Sequence, residues 1–174
     1  MEIIKRKMLH GTRFLSFEIG DETYGMEIMN VKELMGMTSI TPIPQTPSFI
    51  KGVLNLRGNI VPVIDLRLKF GMPAKEYTKR TCIIITDIKT SSETALMGLV
   101  VDNIQEVIGI PDEKISRIPY INAKIKSEYI KGIADTPEGI KIILDVVRIL
   151  NEEELAKLAD LDANVNTRNT RSNS

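Results

Sequence analysis

Phe49-Ile50-Lys51-Gly52-Val53 returns 80 residues later as Tyr129-Ile130-Lys131-Gly132-Ile133. At the same offset, Ile60-Val61-Pro62-Val63-Ile64-Asp65-Leu66 returns as Ile140-Lys141-Ile142-Ile143-Leu144-Asp145-Val146, and no gap separates the two matches. A second echo lies upstream, at an offset of 73. There Gly25-Met26-Glu27-Ile28, with Asn30, Glu33 and Gly36, is answered by Gly98-Leu99-Val100-Val101, with Asn103, Glu106 and Gly109. The order of elements is the same in both halves, which is the pattern of a fused duplication. A duplicated β unit builds a surface with a seam, and seams are where binding sites collect.

Working outward, the chain reads as short strands. In Phe14-Leu15-Ser16-Phe17-Glu18-Ile19, Leu15, Phe17 and Ile19 share one face and Ser16 and Glu18 the other, the period of a half-buried strand. Gly20-Asp21-Glu22 turns the chain into a return strand to Glu27. Ile28 to Met37 reads as a brief turn, then a strand from Val31. Three prolines between Thr41 and Pro47 make an extended loop. Gly52–Leu56 and Ile60–Ile64 flank a tight Arg57-Gly58 turn. Pro62 puts its strand at a sheet edge, or points its missing N–H away from a partner. Asp65 caps a short helix, Leu66 to Phe70.

The second half repeats this plan. Thr81–Asp87 and Ala95–Val101 are strands around a polar loop, Lys89 to Glu93. Gly109 to Tyr120 reads as irregular. Lys131–Ala134 and Gly139–Leu144 form the second hairpin, turned by Asp135-Thr136-Pro137-Glu138, and Asp145 caps the next helical turn. Asn151, followed by three glutamates, starts a C-terminal helix with Leu155, Leu158 and Leu161 on its apolar edge. Residues 164–174 have almost nothing to bury and are expected to be disordered. The expectation is a mainly all-β fold, a small barrel in each half, the two related by a pseudo-twofold and burying an apolar seam.

Bulk composition narrows the function. Lys plus Arg equals Asp plus Glu at 23 each, so the chain lacks the basic excess of a nucleic-acid protein. Met1 to Thr12 lacks the apolar run of a signal peptide, and no stretch has the ~20 apolar residues of a membrane span. A soluble, cytoplasmic protein is expected. Cys82 is the one cysteine and His10 the one histidine, so no intrachain disulfide is expected and the two cannot make a zinc site alone, while His10 sits in a polar N-terminal arm, a poor place to hold the imidazole of a triad. There is no Gly-rich phosphate loop. Catalysis and cofactors are not expected.

Binding remains, and the duplication helps to locate it. Residues shared by both copies, such as Gly52 with Gly132 and Asp65 with Asp145, are sufficiently explained as turns, caps and tight backbone contacts. Divergence is more informative. The first hairpin tip reads Asn55-Leu56-Arg57-Gly58 and the second Asp135-Thr136-Pro137-Glu138. Arg57 therefore has no charged counterpart, whereas Glu33 has one in Glu106. Only the first half can form a Glu33–Arg57 pair. A small double barrel that binds nucleic acid or a peptide by itself is the alternative, but the four Phe and four Tyr are scattered rather than striped.

The stretch Phe49 to Arg67, led in by Thr46-Pro47, together with Gly20-Asp21-Glu22-Thr23-Tyr24-Gly25 upstream, resembles the CheW family of chemotaxis adaptor (coupling) proteins. The resemblance runs from about Arg13 to Leu158. The same domain also occurs in the kinase CheA and in CheV, but 174 residues hold neither a kinase core nor a receiver domain, so the stand-alone adaptor is the better match. The resemblance implies two SH3-like five-stranded barrels in one intertwined domain, residues 1–163. It also implies no catalysis, and cytoplasmic recruitment to membrane-associated receptor arrays. The partners it implies are the regulatory domain of the histidine kinase CheA and the cytoplasmic tip of chemoreceptors. Residue by residue, it implies an Arg57 paired with Glu33, and Val31, Gly52, Gly58, Ile104 and Val107 at a receptor-facing groove. Ile28 lies beside Val31 and is expected to line the same groove.

Overall fold

The computed structural model describes residues 11–89, 94–117, 127–151 and 153–158. The tail 164–174, Leu161, His10 and the polar loop residues 90–93 lie outside them. Eleven strands are described: β1 (Thr12–Ile19), β2 (Glu22–Glu27), β3 (Val31–Gly36), β4 (Ile50–Leu56), β5 (Asn59–Asp65), β6 (Cys82–Lys89), β7 (Thr94–Val101), β8 (Asn103–Ile110), β9 (Ile115–Ser116), β10 (Ile130–Thr136) and β11 (Gly139–Leu144). They form two sheets, ordered β3-β6-β7-β5-β4 and β8-β1-β2-β11-β10-β9. Each sheet curls into a barrel, the first of five strands and the second of five with the short β9 added as a sixth. In the first, Thr41 leaves β3 and pairs with Val53 on β4; in the second, β9 leaves β8 and pairs with β10. Closure in this way removes most of the open edge.

The expected barrel in each half is corrected by this topology. Neither copy closes alone. Strands β1 and β2 of the first copy complete the barrel of β8, β10 and β11, while β6 and β7 of the second copy complete that of β3, β4 and β5. The exchange obeys the repeat. Gly25 pairs in parallel with Ile143 on β11, and its mate Gly98 pairs in parallel with Val63 on β5. Both glycines leave room for a neighbour: an added Cβ would stand 3.0 Å from Ile143 in one case and 3.0 Å from Ile83 in the other.

The two hairpins also match in detail. Each first strand carries a bulge, between Ile50 and Gly52 and between Ile130 and Gly132. Gly52 has φ +141° and lies so close under the Thr41 carbonyl that any side chain would collide with it. After each hairpin an aspartate caps a short turn. Asp65 accepts from Arg67 N at 2.9 Å and Asp145 from Val147 N at 3.2 Å. The first turn is a helix of four residues, Leu66–Lys69, one shorter than expected, and the second is a 3-10 turn, Val146–Arg148.

One expectation is decided between its two alternatives, the missing Pro62 N–H pointing away from a partner, and two others are revised. Pro62 is not on an edge strand, since β5 lies between β7 and β4. Its partner Val53 spends both backbone groups on Thr41, so Pro62 faces a non-hydrogen-bonded position and no donor is missed. The parallel ladder to β7 begins only at Val63. The middle of β1, Phe14 to Phe17, is buried on both faces: Ser16 is fully buried, because one face of a barrel strand points to the barrel interior and the other to the core between barrels. Gly109 and Ile110, read as irregular, end β8, and β9 lies in the same stretch.

The largest core cluster draws on both barrels. Phe17, Tyr24, Phe70 and Tyr129 form a run of rings through it, with successive centroids 6.0, 5.7 and 6.3 Å apart. The helical segment 153–158 closes one end of this core with buried Leu158 and half-buried Leu155. Asn151 Oδ1 accepts from Glu154 N at 2.7 Å while Glu154 Oε1 accepts from Asn151 N at 3.0 Å, a reciprocal cap. Among the described residues, no helix is long and apolar enough to cross a membrane.

Candidate functional site

Arg57 occupies an unusual backbone position. In the turn between β4 and β5 it has φ +50°, and Gly58 follows at φ +85°. Two successive positive values match the right-handed twist of a two-residue hairpin, but the first position ordinarily takes Asn, Asp or Gly. A β-carbon there costs conformational energy. Asn55 supports the turn by accepting from Gly58 N at 2.8 Å.

From this tip the guanidinium reaches back to Glu33 on β3 in a two-pronged contact. Nη1 donates to Oε1 at 3.1 Å and Nη2 to Oε2 at 2.6 Å. Glu33 sits in a β-bulge, since Val31 faces Thr86 while Glu33 faces Ile85. The hydrogen bonds from Arg57 hold the Glu33 carboxyl below the usual carboxylate range, and the same bonds push Arg57 up. The Arg57 side chain remains 72% exposed, so the pair is a surface feature that a partner can touch.

Ile28, Val31 and Ile104 are half-buried and pack on the margin of the large core between the barrels. Ile28 opens the 3-10 turn Ile28–Asn30, Val31 begins β3, and Ile104 stands opposite Phe17 on β1. The repeat explains their meeting: β3 and β8 are equivalent strands, and Val31 and Ile104 are equivalent residues on them. Val107 is more exposed, as is its mate Leu34, at 43% and 44%. Gly58 is open, with nothing within 4 Å of an added Cβ. Gly52 contributes no side-chain surface; its place is the close approach of β4 to Thr41. The structure thus joins Glu33 to Arg57 and gathers Ile28, Val31 and Ile104 on one core.

Two buried polar constellations were not read from the sequence. Lys69 Nζ lies 2.6 and 2.8 Å from the carboxylate oxygens of Glu154, and also 4.4 Å from the Phe49 ring centre and 5.2 Å from that of Tyr129. Phe49 and Tyr129 are repeat mates, so the cation bridges the two copies. Inside the second barrel, Lys141 donates to Ser16 Oγ at 3.0 Å, and Ser16 donates to Gln105 Oε1 at 2.6 Å. The sequence signal was faint in both cases: a glutamate within a run, and lysines without a periodic context. Cys82 is half-buried against the core with its thiol pushed up by burial, and among the described residues no three His, Cys, Asp or Glu gather as metal ligands.

The fold and sequence both have relatives. The model of the CheW-like domain matches residues 13–154. The chain is 38% identical over 146 residues to the chemotaxis protein CheW of Klebsiella aerogenes, covering 84% of this chain and 86% of that one. It is 30% identical to the chemotaxis protein CheW of Treponema pallidum, covering 86% and 88%. The crystal structure of the scaffolding protein TtCheW from Thermoanaerobacter tengcongensis superposes with a TM-score of 0.74 at 35% identity, over 83% of this chain and 90% of that one. With two exchanged barrels, the repeated hairpins and the match from residue 13 to 154, this chain belongs to the CheW-like domain family.

Proposed function

We propose that this protein is a non-catalytic adaptor that couples the cytoplasmic tip of chemoreceptors to the regulatory domain of the histidine kinase CheA, and that it works from the cytoplasm at membrane-associated arrays. The observation that carries the reading is the Glu33–Arg57 pair, held at a left-handed turn. An exposed ion pair adds little to folding, so a strained backbone beneath it is better accounted for by recognition than by stability. The receptor-facing surface would combine Glu33, Arg57 and Gly58 with the apolar Ile28, Val31, Ile104 and Val107, while Gly52 shapes the strand beneath.

A receptor tip built as a helical hairpin suits this surface. An apolar helix face would lie against Ile28, Val31 and Ile104, with the charge pair setting its register. A regulatory domain of the same double-barrel build would meet a barrel end, and such heterologous contacts propagate into assemblies. A scaffold with two faces acts by raising effective concentration, without needing a reaction of its own.

The test is a pull-down of a receptor cytoplasmic fragment and the kinase by wild-type protein and by Arg57→Glu. The variant is expected to keep its melting curve and to lose receptor-dependent kinase assembly, because two like charges then face each other at the rim. Full binding by this variant would remove the role given to Arg57. The double exchange Glu33→Arg with Arg57→Glu separates pair geometry, which returns partial binding, from a direct contact by the arginine, which returns none.

A further inference from the structure

The duplication supplies a comparison within the molecule. Glu106 on β8 is the repeat mate of Glu33 on β3, and both occupy the same kind of bulge. Gln105 and Glu106 together face Ser16, between the pairs Val107–Leu15 and Ile104–Phe17, just as Lys32 and Glu33 together face Ile85. A bulge re-aims the side chain it carries. In the first copy that carboxylate is filled by the guanidinium of Arg57. In the second copy the tip position is Pro137, which cannot reach back, and the next residue is Glu138 in place of Gly58.

Glu106 and Glu138 are both exposed, and neither forms an ion pair among the described residues. They line one cavity of about 250 Å³ with Thr23, Gln105, Ile140 and Lys141. Lys141 is 3% exposed and its ammonium is turned to Ser16 Oγ. No carboxylate lies within ion-pair distance of it among the described residues, so it does not neutralise the two glutamates by direct contact. Two carboxylates and one ammonium leave the cavity with a net charge of −1. Ile140, 63% exposed, stands at the rim.

We propose that the rim of the second barrel, between Glu106 and Glu138, is a docking site for an arginine side chain presented on a turn of a partner protein. The same bulged glutamate already binds a turn-borne arginine in the first copy, at 3.1 and 2.6 Å through two oxygens. Glu138 adds a second acceptor, which suits the five donors of a guanidinium better than the compact head of a lysine. Exposed Ile140 supplies apolar surface for the residues flanking that arginine. This site lies on the other barrel from the Glu33–Arg57 pair and does not depend on the receptor reading.

The probe is a cyclic hairpin peptide with Leu-Arg-Gly-Asn at its turn, titrated into the full chain and followed by amide NMR shifts. Its control is the same peptide with citrulline in place of arginine, which keeps the shape and loses the charge. Saturable shifts at Glu106, Glu138 and Ile140 are expected with the arginine peptide, at least about tenfold weaker with citrulline. Glu106→Gln with Glu138→Gln is expected to abolish them while leaving the rest of the spectrum unchanged. Pro137→Arg is expected to fill the site from within, so that this variant no longer binds the peptide. Equal binding of both peptides, shifts confined to the first barrel, or undiminished binding by the double Gln variant would each overturn the proposal.

Discussion

The Lys69 ammonium is held by Glu154 through both carboxylate oxygens, and the two side chains are only 6% and 12% exposed. Lys69 comes from the turn after the first hairpin and Glu154 from the C-terminal helical segment, so the contact ties the end of the chain to the core between the barrels. The aromatic rings of Phe49 and Tyr129 cover the cation from the two copies. Burying such a pair is expensive, but removing one partner leaves an uncompensated charge. Lys69→Ala is therefore expected to lower unfolding free energy by about 3–5 kcal/mol. The apolar double replacement, Lys69→Met with Glu154→Leu, should cost far less. Urea denaturation of the three variants checks this, and equal losses for single and double would show that packing rather than charge decides the site.

Ile104 tests the apolar part of the proposed receptor surface. It is half-buried on the margin of the core, opposite Phe17. Ile104→Asp is expected to abolish receptor binding with a native circular dichroism spectrum, since an aspartate there can turn its carboxylate to solvent. A lost spectrum would mean that the position is core, where an unpaired charge is not tolerated.

The turn that carries Arg57 predicts an opposition between stability and function. Glycine adopts φ +50° without the clash that a β-carbon brings. Arg57→Gly is expected to leave Tm unchanged or raise it by about 2 °C, while weakening receptor-dependent assembly. A clear fall in Tm would show that the ion pair contributes more to folding than the turn strain removes.

Tyr24 sets an alkaline limit. Burial, with a smaller contribution from Glu22, pushes its hydroxyl up from 10.0 to about 12. The folded-state value is raised, so the protonated form is the one that folding favours. Its contribution is fully present below pH 10 and is lost as pH rises from about 10 through about 12. Tyr77 acts in the same direction: burial raises its hydroxyl, as does Asp65, to which it donates at 3.0 Å. Stability is expected to fall over this window, and Tyr24→Phe should reduce the slope. Urea midpoints at pH 9, 10 and 11 measure it, and identical slopes in the two proteins would remove Tyr24 as a cause.

Much of the local structure was legible in the residues because its causes are local. The two hairpins follow from their turn residues with apolar strands on either side, and the two caps from Asp65 and Asp145 at the ends of those hairpins; the bulges at Gly52 and Gly132 were not read. The short turn before β3 and the capped C-terminal helical segment were likewise set by neighbours a few residues away. The Glu33–Arg57 pair was visible as a difference between two copies of one unit, which needs no coordinates. Tertiary structure decided what depends on distant pairing. Whether β1 and β2 close on their own copy or on the other is set by which edges meet, and the sequence period is the same either way. Ser16 reads as solvent-facing by alternation, yet the middle of a strand between a barrel interior and a second core has no solvent face. Lys69 meets Glu154 because the tertiary fold brings residues 85 apart into contact, and the fold likewise sets Glu106 and Glu138 on one cavity, where the sequence supplies Pro137 in place of an arginine.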